Sequence, residues 1–183
     1  LVLVWSLFGS AFAQVEPCLS ATPGEHLLAV NAQWSAMDPA VLDDQRNVAF
    51  ASETARIAEH LHRVAERLVA RTPISVDEGP CQRRRALIDT LIAYADRGRF
   101  PMNHAVPGRT PVFIDDLGTA CAVGQLMISS GHAALAERIH QEMNLAYIHG
   151  IALPEVAVWA KDHGFTIDEL AWIQPTYQFE RLH

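Results

Sequence analysis

Helix-start signals recur along this chain, and they constrain its fold more than any other feature. Thr22-Pro23-Gly24-Glu25 supplies a capping hydroxyl, a proline at the first helical position and a carboxylate at the third. That pattern predicts a helix carrying Leu27, Leu28, Val30 and Trp34. Asp38-Pro39 repeats the cap-then-proline signal and predicts a second helix. Thr166-Ile167-Asp168-Glu169 is another capping box, opening a short helix with Leu170 and Ile173 that Pro175 ends.

Apolar spacing fills in the helices between these signals. From Ser52, Ile57, Leu61, Val64 and Leu68 recur four, three and four residues apart, the spacing of one buried helix face. Thr72-Pro73 stops that helix, and PISVDEGP reads as a loop. Leu87, Leu91 and Tyr94, with Ile88, Ile92 and Ala95 beside them, predict a broad-faced helix from about Gln82 to Arg97, closed by Gly98. Further helices are expected over TACAVGQLMI, broken at Ser130-Gly131, then around Leu135, Ile139 and Met143. Pro154 starts another, carrying Val156, Trp159 and Ala160 and ending near Gly164.

Residues 98–118 interrupt this pattern. Val112-Phe113-Ile114 is the best strand candidate, and Asp115-Asp116-Leu117-Gly118 reads as the turn after it. With no internal repeat, linker or charge block, the expectation is a mainly α single domain over residues 14–183. It should hold about six or seven helices and a short β-strand or hairpin element near 112–118.

Residues 1–13, LVLVWSLFGSAFA, are uncharged and end in the small-x-small pattern that signal peptidase accepts. The run is shorter than the about 20 apolar residues of a membrane span. It reads as a signal peptide whose charged n-region is missing, since residue 1 is Leu and not Met. The mature chain then starts near Gln14, is periplasmic or extracellular, and has no membrane span. The other reading is an ordinary buried N-terminal helix. Cys18 lacks the small residue that precedes a lipidated cysteine. Export permits disulfides, and Cys18, Cys81 and Cys121 allow one internal bridge at most. A formal net charge of −7 argues against a general nucleic-acid binder, because phosphate recognition needs a basic surface.

The reactive side chains gather between residues 104 and 132. Cys121 follows a Gly-Thr-Ala step that resembles a helix start, where the positive dipole end favours a thiolate. His104 or His132 as base, with Asp115 or Asp116 as orienter, would complete a catalytic constellation. The other readings of Cys121 are a buried small side chain or half a disulfide, and the two aspartates are equally turn formers and caps. Asn103 and Arg109, in the same loop, are binding candidates. His104, His132, Asp115 and Asp116 would also suit zinc as mixed nitrogen and oxygen ligands. However, no HExxH and no short Cys/His spacing occurs, so no metal or other cofactor is assigned. His60 and His62, two apart on a helix, fall on different faces. Arg83-Arg84-Arg85 reads as a solvated face, and Trp159 and Trp172 as core. Signatures for NTPase, Rossmann, α/β-hydrolase and c-haem chemistry are missing from the sequence.

The words RGRFPMN, PVFIDDLGTACAVGQLMISSGH, NLAYI and WAKDHGFTIDELAWIQPTY lie between Arg97 and Tyr177. Through them the chain resembles an uncharacterised family of exported bacterial proteins, over somewhat under half its length. The resemblance implies an exported module, sometimes found near the start of larger secreted proteins, and carries over no catalytic residue. With six residues after Tyr177, this copy is expected to stand alone. Two functional classes follow. The first is a binding or structural module that uses residues 99–118 to recognise an extracytoplasmic ligand or protein. The second is a thiol-dependent hydrolase or transferase with Cys121 as nucleophile, with a metal-dependent enzyme as its weaker variant.

Overall fold

The computed structural model describes residues 19–36, 46, 48–72 and 78–176. The expected helix at Asp38-Pro39, the 1–13 run and Cys18 lie outside them. Seven α-helices dominate the described residues: α1 (Pro23–Val30), α2 (Glu53–Ala70), α3 (Glu78–Arg97), α4 (Ala122–Ser129), α5 (Ala133–Met143), α6 (Pro154–Asp162) and α7 (Ile167–Ile173). The chain is mainly α, as expected. The sheet is a two-stranded antiparallel pair near the N-terminus, β1 (Leu19–Ala21) with β2 (Val48–Phe50).

Local chemistry sets the boundaries. Both capping boxes form: Thr22 Oγ1 accepts from Glu25 N–H, and Thr166 Oγ1 accepts from Glu169 N–H at 3.1 Å. The helix opened by Thr22 ends sooner than its apolar pattern implies. It stops at Val30, and Trp34 sits on a 3-10 turn, Ala32–Ala36. Asn31 ends it, because its side chain turns away to a distant partner. Its Nδ2 donates to the carbonyls of Ala171 and Gln174 at 3.0 and 2.9 Å, satisfying acceptors that the end of α7 leaves open. The α3 helix starts four residues before Gln82, because Gly79 and Pro80 fall in its first turn, where a missing N–H costs nothing.

The pair α2 and α3 forms the centre of the molecule, with α1, α4 and α7 packed around it. Ile57, Leu61, Val64 and Leu68 of α2 are all buried, and so are Leu87, Ile88, Leu91 and Tyr94 of α3. Each such aliphatic side chain contributes about 1.5–3 kcal/mol by leaving water. Among the described residues no helix is long and apolar enough to cross a membrane.

Arg84 departs from the sequence reading of its run as solvated. It is 1% exposed and ties three elements together. Its Nη1 and Nη2 donate to the two carboxylate oxygens of Glu169, at 2.9 and 2.7 Å. The same nitrogens donate to the carbonyls of Gly164 and Leu68, and Nε donates to Thr72 Oγ1. Arg83 and Arg85, by contrast, are exposed. Gly164, at φ +74°, lets this knot close, because a Cβ there would lie 2.9 Å from the Pro80 carbonyl oxygen.

Trp159 is buried, as expected, while Trp172 is half-buried with the Arg67 guanidinium 4.2 Å above its ring. His60 and His62 do fall on different faces. His60 is fully buried and accepts from Trp34 Nε1–H at 2.9 Å on Nδ1, whereas His62 lies 3.1 Å from Asp96. The Trp34 bond places the His60 proton on Nε2, which has no partner in hydrogen-bond geometry among the described residues. Burial is the main reason its pKa falls to about 4, and the adjacent main chain of Trp172 and Ile173 offsets only part of it.

Candidate functional site

The segment Val112–Ile114 bends at Phe113 and joins no strand among the described residues. Phe113 carbonyl accepts from Cys121 N–H at 2.7 Å, and Ile114 forms a single antiparallel bridge with Ala120. The other edge is covered by one residue rather than a strand. Asn144 carbonyl accepts from Phe113 N–H, and the Asn144 side chain bonds both the N–H and the carbonyl of Ile114, at 2.9 and 3.0 Å. The expected strand at 112–114 is therefore a bridge with an amide side chain standing in for a neighbour.

Asp115 builds the turn that follows. Its Oδ1 accepts from the N–H groups of Leu117 and Thr119, and its Oδ2 from Met102 N–H across the loop. Gly118 N–H closes the turn onto the Asp115 carbonyl at 3.0 Å, with Gly118 at φ +75°. Burial alone would push the Asp115 carboxyl up. The N–H groups of Thr119, Met102 and Leu117 outweigh it and hold the carboxyl below its ordinary value. Asp115 is a turn former, one of the two readings its sequence position allowed.

The other candidate residues do not assemble around a reacting centre. Cys121 is the N-cap of α4, and its Sγ accepts from Gly124 N–H at 3.4 Å. Burial raises the thiol to about 11 despite these donors, opposite to the thiolate expected at a helix start. The hollow beside it measures about 30 Å³, and its lining includes Ile57, Leu61, Phe100 and Val112 but no histidine. Small-molecule sites are roughly ten times larger. Cys81 and Cys121 are not bonded to each other.

His104 pairs with Asp116 at 3.2 Å on the exposed surface, away from that thiol. His132 precedes α5, with its Nδ1 2.9 Å from the Ser130 carbonyl and its ring edge-on to His163. Asn103 spends its side chain on its own loop, donating to Val106 and Gly108 carbonyls and accepting from Ala105 and Val106 N–H. Arg109 pins the loop to the helices, donating to Ala29 carbonyl and pairing with Glu53. Both binding candidates act as loop fasteners. Among the described residues no three His, Cys, Asp or Glu side chains gather as metal ligands.

What the loop does present is apolar. Met102 and Leu117 are 59% and 69% exposed, although the N–H of each is fastened to Asp115. One side of the turn borders a cleft of about 440 Å³ that includes His104, Asp116, His140 and Leu145. The other borders a cleft of about 640 Å³ that includes Arg97, Arg99, Gln125 and Ile128. Sequence reasoning missed Met102 and Leu117, because an isolated apolar residue in a loop has no periodicity to mark its direction. Compared with known proteins, the chain matches no family model, no curated protein and no solved structure.

Proposed function

We propose that this chain is an exported bacterial binding module and that the turn between Met102 and Thr119 is the surface it presents to an extracytoplasmic protein or ligand. One observation carries the reading. Two large apolar side chains stand in solvent on a backbone held by a buried carboxylate. Exposed apolar side chains on a fixed frame suit recognition, since little loop entropy is lost on docking. The apolar 1–13 run, with its small-x-small ending, supports export. A thiol or metal enzyme draws no comparable support, because Cys121 and the two histidines occupy separate environments.

A photo-crosslinking side chain placed at Met102 or Leu117, in the cell that makes the protein, tests the surface. A discrete adduct is expected from both positions and not from Val69 or Val158, which are equally exposed on α2 and α6. Equal yields at all four positions, or none at 102 and 117, would overturn the reading. N-terminal sequencing of the released protein should begin at Gln14, and a chain retaining the 1–13 run would count against export.

A further inference from the structure

The larger cleft beside this turn is basic, in a chain whose net charge is −7. Arg97 ends α3 and Arg99 follows Gly98, which is left-handed at φ +58°. Neither arginine forms an ion pair among the described residues, whereas Arg56, Arg63, Arg84, Arg109 and Arg138 all do. The carboxylate next to Arg97 in sequence, Asp96, is engaged with His62.

The cleft is also shaped. Tyr94 is buried in its floor and fixed there by its hydroxyl, which donates to the Ala120 carbonyl at 2.8 Å. The Arg97 guanidinium lies 5.6 Å from the centre of that ring. Gln125 and Ile128, one helical turn apart on α4, also line it, so an amide and an exposed apolar side chain border the same cleft as the two cations. Gly118 and Thr119, from the end of the turn, complete the lining.

We infer that this cleft binds an extended acidic peptide segment of a partner protein, with carboxylates on Arg97 and Arg99 and an apolar side chain against Ile128. Guanidinium forks favour carboxylates through paired charge-assisted hydrogen bonds. In an extended peptide, residues i and i+2 share one face, so alternating acidic positions present two carboxylates to the same wall. This inference rests on the binding-module reading and names the partner chemistry of that face.

Fluorescence anisotropy of the whole mature chain with labelled Glu-Leu-Glu-Leu-Glu-Leu-Glu tests it, against the same peptide with Lys for Glu. Saturable binding of the Glu peptide is expected, weakening with salt. The double variant Arg97→Gln/Arg99→Gln should lose about tenfold in affinity with an unchanged melting curve. Equal binding of the Lys peptide, or no loss in the double variant, would overturn the inference. Full competition by inorganic phosphate alone would assign the cleft to a free anion and overturn the peptide. If crosslinking from Leu117 succeeds while the Glu peptide fails, the binding face stands and its acidic partner falls. If the Glu peptide binds while 102 and 117 yield no adduct, the cleft stands and the apolar surface falls.

Discussion

Arg84 and Asp115 are both buried ions, yet the molecule neutralises them in opposite ways. Arg84 meets a counter-charge, Glu169, and its remaining donors reach α2 and the loop before α7. Asp115 meets no cation among the described residues and is held by N–H dipoles at most thirteen residues away. The first arrangement joins residues 85 apart and so locks helices together. The second joins neighbours and so shapes a surface. The reach of a buried charge, more than its presence, separates a residue that supports the whole fold from one that presents a loop.

The largest expected effect lies at Arg84. Arg84→Ala leaves Glu169 without its partner and should lower unfolding stability by about 3–5 kcal/mol in urea titration. The double variant Arg84→Met/Glu169→Leu should recover most of that loss, because apolar replacements of a buried pair leave no stranded charge. No recovery would mean that the carbonyl contacts to Leu68 and Gly164, and not the ion pair, hold the knot.

His60 is a third buried titratable group, and it stays neutral. In the unfolded chain its imidazole gains a proton below about 6.5, while the folded one stays neutral down to about 4. The unfolded state therefore binds more protons in that window, and stability falls as pH drops through it, with no contribution above it. The loss should reach about 3 kcal/mol by pH 4. Denaturant curves between pH 7 and pH 4 measure it, and His60→Gln should flatten the slope.

Asp115→Ala should cost less, about 2 kcal/mol, because its donors lie near solvent once the loop loosens. Its signature is local: faster hydrogen exchange at Met102, Leu117 and Thr119, with the amides of α2 and α3 unchanged. Slower exchange at those positions, or global loosening, would erase the distinction drawn from Arg84. The smallest effect belongs to Cys121→Ser, about 1 kcal/mol or less, since a serine hydroxyl replaces the thiol as cap. Alkylation of the folded protein should be slow at pH 8, in keeping with a thiol raised to about 11.

Much of this architecture was legible in the sequence. Capping boxes at Thr22 and Thr166, the spacing of Ile57 to Leu68 and the stop at Gly98 depend on residues a few positions apart. Where legibility failed, a distant partner was responsible. Trp34 lay beyond its expected helix because Asn31 answers to α7, 140 residues away. Arg84 looked solvated because nothing near it in sequence announces Glu169. Val112–Ile114 looked like a strand, but its edge is covered by Asn144.

The candidate site divides in the same way. Caps, periodicity and turn residues act over a few bonds, so the helical domain and the turn at Asp115–Gly118 follow from local sequence. Packing between distant segments sets the rest: Cys121 is buried in an apolar wall, Asn103 and Arg109 fasten their loop, and Met102, Leu117, Arg97 and Arg99 face solvent. Those outcomes depend on which surfaces exclude water from one another, and that is a property of the packed helices rather than of any short segment.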